Sequence, residues 1–310
     1  MRVFITGVSG YLGGLVCRVL DQDPMVKEVV GVDLQPPEKG VSKLAFYRFD
    51  VRDPGLRGVM EGCDVCLHMA FILNEIKDKD KTYDINVNGS RNVFNCCLSA
   101  GVPWIIQLSS MAVFGPHPDN PVPLTEDDFP RGHPGCYYCY AKAEIEHYLD
   151  WLKRQHPHLD LTVLRPAVVI EERIDNTVRW MFENRFALRI RGHDSLAQYI
   201  HEGDLTRAIQ LVLQKRATGI FHITSDDYLR VSEMLERMGI FAPALPKKLV
   251  EKIADLAFRF GASPISSHWV RMFSESMVGT SERIKELGWR PSHTSSELFD
   301  EYIVRRLKRA

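Results

Sequence analysis

The sequence predicts an α/β fold: a doubly wound parallel sheet with crossover helices, joined to a smaller, helix-rich domain. Three observations predict it. Short β-branched runs alternate with helix-like segments through the first half of the chain. A glycine turn, Thr6-Gly7-Val8-Ser9-Gly10-Tyr11-Leu12-Gly13, follows the first of these runs and opens the first helix. After Pro166 the rhythm loosens and helical spacing dominates.

Taken in order, the β-like runs lie at 2–6, 29–33, 45–50, 65–69 and 104–109, with a sixth at 161–164. Between them, residues 11–20, 56–60, 83–99 and 138–154 carry helical spacing or capping signals. One more strand is expected at 220–224, before a helix-rich tail from Val231 onward. The expected division is a dinucleotide-binding domain of residues 1–167 plus about 199–224, and a substrate domain of about 168–198 and 225–310. The stretch 247–260 is amphipathic and is expected to cover its own core rather than a membrane or partner.

Composition removes several classes. The 310 residues are 45% hydrophobic and 25% charged, with 39 Lys+Arg against 40 Asp+Glu, a net charge of -1. That balance argues against a nucleic-acid partner, because phosphate binding needs clustered cations and the one basic cluster is 305–309, read as a helix end. No apolar run reaches membrane-span length, so no membrane partner is expected. Met1-Arg2-Val3-Phe4-Ile5 runs into a strand rather than a signal sequence, which suggests a cytoplasmic protein. Seven cysteines fit reduced, buried thiols. The pairs Cys63/Cys66 and Cys136/Cys139 stand 69 residues apart, too far for a compact zinc site, and no metal is expected.

The glycine turn suits a phosphate. Gly7, Gly10 and Gly13 allow a tight turn, close approach of backbone N–H groups and close packing of helix on strand, while Tyr11 and Leu12 open a helix whose N-terminus favours an anion. Asp33 ends the second strand, 20 residues after Gly13, where a carboxylate can accept from a ribose diol. No Arg or Lys lies between Asp33 and Lys39 to neutralise a 2′-phosphate, which favours NAD over NADP.

With these residues in view, the chain resembles the short-chain dehydrogenase/reductase superfamily, in its extended branch of NAD-dependent epimerases and dehydratases, whose sheet is a Rossmann fold. The glycine spacing carries the likeness, and so do Asp50-Val51, His68-Met69-Ala70-Phe71, the run 84–90 containing Asn86, Tyr199-Ile200-His201-Glu202-Gly203-Asp204-Leu205 and Leu287-Gly288-Trp289-Arg290-Pro291. The resemblance implies that Asp50 and Val51 contact adenine, and that Met69, Ala70 and Phe71 line the cofactor turn. It also places Asn86 on the cofactor side and Pro166 and Ala167 beside the nicotinamide. It further implies a homodimer joined through helices 83–99 and 138–154.

Tyr138 and Lys142, four apart, share one face of a helix. A phenol with an ordinary pKa near 10 is a poor base, and an adjacent ammonium favours its phenolate. Of the nearby tyrosines only Tyr138 has a lysine in register, since Tyr137 would need one at Ala141 and Tyr140 one at Glu144. The resemblance assigns Tyr138 as acid/base, Lys142 as its activator and ribose ligand, and Ser110, five before Gly115, as the residue holding the substrate oxygen. Ser109 is read as structural, and Glu146 as a helical partner of Lys142 or a surface residue.

Departures from the family narrow the chemistry. Met111-Ala112 stand where the 4,6-dehydratases carry Asp-Glu, and neither can transfer a proton. Val168 and Ala197 replace the Asn and Arg with which sugar-nucleotide epimerases hold sugar and diphosphate. An arginine fork is the usual grip on a diphosphate, so such a substrate should bind weakly unless Arg189, Arg191 or Arg271 compensates. Trp180, Met181, Phe182 and Phe186 are expected to roof the pocket as packing. His201 and His222 are read as structural. The function implied is an NAD-dependent oxidoreductase acting on the secondary alcohol or ketone of a small-molecule substrate. The alternatives are a sugar or sugar-nucleotide epimerase that retains its NAD, and a non-catalytic NAD-binding sensor or scaffold.

Overall fold

Strands buried on both faces read as continuous apolar runs, and the first half of this chain obeys that rule. A computed structural model describes residues 1–38, 40–73, 78–170 and 186–307. In chain order its first part is β1 (Arg2–Thr6), α1 (Tyr11–Gln22), β2 (Glu28–Asp33), β3 (Leu44–Arg48), α2 (Leu56–Met60), β4 (Val65–His68), α3 (Lys79–Tyr83), α4 (Gly89–Ser99), β5 (Trp104–Leu108), α5 (Tyr137–Gln155) and β6 (Asp160–Pro166). There follow β7 (Val168–Ile170), β8 (Arg189–Ile190), β9 (Leu196–Ala197), β10 (Tyr199–His201), α6 (Glu202–Lys215), β11 (Gly219–Ile223), β12 (Leu229–Arg230) and α7 (Val231–Arg237). The last elements are β13 (Ala244–Leu245), α8 (Lys247–Arg259), α9 (Ser267–Met272), α10 (Glu282–Glu286) and α11 (Ser295–Leu307).

Seven strands form one sheet in the order β11-β6-β5-β4-β1-β2-β3. Pairing from β3 across to β6 is parallel, with Thr6 opposite Val32 on one side and His68 on the other. The order reverses between β1 and β4, the switch point beyond whose carboxyl ends a doubly wound sheet binds ligands. β4 and β5 are buried throughout, whereas the edge strand β3 ends on exposed Tyr47 and Arg48.

Packing divides the chain into two compact units. The first comprises Met1–Ser109, Glu144–Arg165 and Thr206–Phe221, and the second comprises Ser110–Ala143, Pro166–Leu205 and His222–Ala310. The segment Ser110–Ala143, expected from sequence to belong with the sheet domain, thus packs in the second unit. The reason lies in its contacts: Leu124 exchanges backbone bonds with Val278 and Thr280, and Glu126 accepts from the His222 N–H.

Three local expectations are corrected. The single helix expected at 83–99 is α3, one π-type turn (Asp84–Asn88) and α4, with Asp84 drawn out to Arg52 and the Asn86 side chain bonded to the backbone of Ile72. Cys136 and Cys139, expected as free thiols, are joined in a disulfide at the start of α5, where i, i+3 spacing brings their Cα atoms to 5.4 Å. The other five cysteines are free and buried. Finally, α8 buries only Val250, while Leu249, Ile253, Leu256 and the following Phe260 stay exposed. Among the described residues no helix is long and apolar enough to cross a membrane.

Candidate active site

In the first unit the glycine turn is built by sterics. Gly7 has φ +80°, and a Cβ there would stand 2.9 Å from the backbone of Ala70. A Cβ on Gly13 would meet the Gly7 carbonyl oxygen at 2.0 Å, so only glycine lets α1 start this close to β1. Gly10 caps α1 without a side chain, and Tyr11 and Leu12 form its first turn. Asp33 faces this loop, its Oδ2 accepting from the Ser9 N–H at 3.0 Å and its Oδ1 from the Leu34 N–H at 2.7 Å. Each oxygen keeps a further lone pair for a ribose hydroxyl. The donor set fits a dinucleotide: a cradle no Cβ could enter, a helix N-terminus for the pyrophosphate and an oriented carboxylate for the diol.

A buried chain of hydrogen bonds props this loop from behind. The Thr6 hydroxyl lies 2.7 Å from His68 Nδ1 and accepts from the N–H groups of Met69 and Ala70 at 3.1 Å each. His68 Nε2 lies 2.8 Å from the Ser90 hydroxyl, which donates to the Asn86 carbonyl. A Thr6 O–H aimed at Nδ1 assigns the Nε2–H tautomer of a neutral histidine. Thr6 and Ser90 were not singled out from sequence; only their places beside the glycine turn and in the run 84–90 could have flagged them.

The other expected cofactor residues fall nearby with differing partners. Asn86, expected on the cofactor side, is buried and holds Ile72 at both its N–H and its carbonyl, fixing the loop that carries Phe71. Val51 packs on Gly89 of α4. Asp50 accepts three bonds from Arg52, and that guanidinium keeps its carboxyl below the usual range. Arg52 also reaches Asp84 at 2.8 Å, a residue sequence reasoning missed because its partners are 2 and 32 positions away.

In the second unit Ser110 caps a short 3-10 turn (Met111–Phe114), its Oγ accepting from the Ala112 N–H at 3.1 Å. The Ser110 side chain acts on the Tyr138 phenol in the direction that favours its anion. Lys142, one turn along α5, is buried, with Nζ 5.9 Å from the centroid of the Tyr138 ring. Tyr138 packs against Ala112, the Cys136–Cys139 pair, Trp269 and Met272, whereas Tyr140 is exposed. This surrounding corrects one expectation. Burial raises the phenol above its ordinary pKa and Ser110 only partly offsets it, so Tyr138 holds its proton at neutral pH.

Ser110, Pro166 and Ala167 open onto a cavity of about 480 Å³ inside this unit, which also draws residues from β8, β9 and α7 to α9. Val168 and Ala197 line it too. Of the arginines that might replace the missing fork, Arg271 is paired with Glu251 at 3.0 Å, and Arg189 donates through Nε to the Ala242 carbonyl. Phe186 lines the cavity; Trp180, Met181 and Phe182 lie outside the described residues. His222 is buried against Phe114, and His201 accepts from the Gly203 N–H.

Glu146 corrects the sequence reading most sharply. It is buried in the first unit, where Arg165 on β6 grips it through Nε and Nη2 at 3.1 and 2.6 Å to Oε2, and Ser109 donates to Oε1 at 2.5 Å. The triad ties α5 to the ends of β5 and β6.

Comparison with known proteins agrees with this architecture. The model of the NAD dependent epimerase/dehydratase family matches residues 3–224. The chain belongs to that family, whose cofactor is NAD. An uncharacterized protein of Mycobacterium tuberculosis is 27% identical, the match covering 97% of this chain and 83% of that one. Sterol demethylase protein B of Methylococcus capsulatus is 24% identical over 97% of both chains. The UDP-glucose 4-epimerase of Thermus thermophilus, solved as a complex with NAD, superposes with a TM-score of 0.70 at 20% identity, covering 97% of this chain and 99% of that one.

Proposed function

We propose that the protein is an NAD-dependent oxidoreductase interconverting a secondary alcohol and a ketone, with Ser110, Tyr138 and Lys142 as its reacting and orienting groups. The observation that carries the proposal is that Ser110 lines the cavity and favours the Tyr138 phenolate, with Lys142 Nζ 5.9 Å from the centroid of the Tyr138 ring, one helical turn along α5. Gly7, Gly10, Tyr11, Leu12, Gly13 and Asp33 would hold NAD, which when bound supplies the hydride acceptor or donor.

The protein's own part is positional and protonic. The Ser110 hydroxyl holds the substrate oxygen. Tyr138 takes the alcohol proton in oxidation or gives its proton to the ketone oxygen in reduction. The lysine cation favours the phenolate that oxidation requires, opposing the burial that keeps the phenol neutral. Met111 and Ala112 offer no second acid or base, so water elimination is not the reaction.

A second reading, an epimerase that returns the hydride and retains its cofactor, is favoured by the likeness to the UDP-glucose 4-epimerase. Cofactor stoichiometry tests the two. The purified protein is mixed with NAD and secondary alcohols while absorbance of the reduced cofactor is followed. Net reduction with turnover is expected. Cofactor that copurifies and is never consumed while a sugar changes configuration would establish the epimerase instead.

A further inference from the structure

Among the described residues, the wall of the cavity beside Ser110 is largely apolar. Leu196, Met234, Met238, Trp269, Met272 and Met277 are typical of its wall, and Ile253, Ala254 and Ala257 of α8 close another side. Of the exposed apolar side chains of α8, Ile253 borders this space, whereas Leu249 and Leu256 are not among its lining. Methionines are adaptable lining, able to follow the shape of an apolar ligand.

Most polar residues of the described lining, Ser110 apart, bond within the protein itself. Gln198 spends its amide on Ser225 and Gly279, donating to both carbonyls and accepting from the Gly279 N–H. His193 pairs with Glu275 at 3.1 Å, Asp194 accepts from the N–H and hydroxyl of Ser232, and Ser195 donates to the Phe273 carbonyl. Arg189 is the one arginine among the described lining residues, and its Nε is committed to Ala242. Among the described lining residues a diphosphate would find no fork of cations to replace its hydration, a cost that an uncharged ligand does not meet.

We propose that this cavity takes an uncharged, largely apolar secondary alcohol or ketone, a lipid-like molecule whose oxygen lies at the Ser110–Tyr138 end, in place of a nucleotide sugar. The proposal rests on the oxidoreductase reading above and adds the substrate class. A volume near 480 Å³ falls within the ~300–1,000 Å³ of ordinary small-molecule sites.

The test is binding to the full chain without cofactor, by calorimetry and quenching of tryptophan fluorescence, with Trp269 in the wall. Three probes are used: progesterone as a rigid polycyclic ketone, a homologous series of straight-chain methyl ketones, and UDP-glucose. Saturable binding of progesterone or of the chain ketones is expected, the first pointing to a ring body and the second to a chain. Within the series each added methylene should tighten binding about fourfold until the cavity is filled. Ala197→Arg, which puts a cation into the wall, should weaken the better ketone at least tenfold while the melting curve of the variant stays close to the parent's. UDP-glucose bound more tightly than the ketones, affinity flat along the series, or no binding of any ketone would overturn the proposal. The oxidoreductase reading fails separately, when ketones bind as expected but Tyr138→Phe still turns them over.

Discussion

Replacing Glu146 by Ala tests how far a buried ion pair stabilises the first unit. Arg165 is 1% and Glu146 5% exposed, so deleting the carboxylate leaves a guanidinium enclosed without its anion and Ser109 without its acceptor. Breaking a buried pair from one side costs about 3–5 kcal/mol. At roughly 2–4 °C per kcal/mol for a domain of ~150–250 residues, the melting temperature should fall by roughly 6–20 °C. Calorimetry reads the shift directly. A double replacement, Glu146→Leu with Arg165→Met, fills similar volume without charge and should recover most of the loss, since apolar substitutes for buried pairs are often neutral or stabilising. A fall below about 2 °C in the Glu146→Ala variant, or a double variant as unstable as the single, would refute the reasoning.

Gly13→Ala forces a methyl to 2.0 Å from the Gly7 carbonyl oxygen, so NADH affinity, read by fluorescence titration, should drop more than about tenfold. Gly58→Ala on α2, where nothing lies within 4 Å, should leave it unchanged. The raised pKa of Tyr138 sets the pH dependence: the phenol is protonated at neutral pH, so ketone reduction holds there and declines as pH rises through that pKa, while alcohol oxidation climbs over the same interval. Profiles of kcat/KM in both directions check this, and an oxidation limb already complete below neutral pH would contradict it.

What was legible in the sequence is what depends on neighbours along the chain. Buried parallel strands announced themselves as apolar runs, and the glycine turn, Asp33 and the Tyr138/Lys142 register could be counted. Glu146 was misread because i, i+4 spacing offers Lys142 as its partner, whereas the group that grips it sits on β6, 19 residues on. The phenol's pKa direction was missed for a similar reason: the lysine is visible in sequence, but the burial that raises the phenol comes from packing with Trp269 and Met272. The cavity was illegible because its wall is assembled from segments spread between Ser110 and Met277. Missing family residues at Val168 and Ala197 hinted at a changed substrate, and the packing supplies the apolar character that their absence alone could not.

The central claim is that the Tyr138 hydroxyl moves the substrate's proton, and Tyr138→Phe tests it most directly. NAD affinity is measured by titration and turnover by the appearance of NADH with a secondary alcohol that the parent oxidises. Removing one phenolic oxygen should leave NAD affinity within about twofold and lower kcat by about 10²–10⁴-fold, the usual contribution of general acid–base catalysis. Turnover that stays within about tenfold of the parent's would contradict the account.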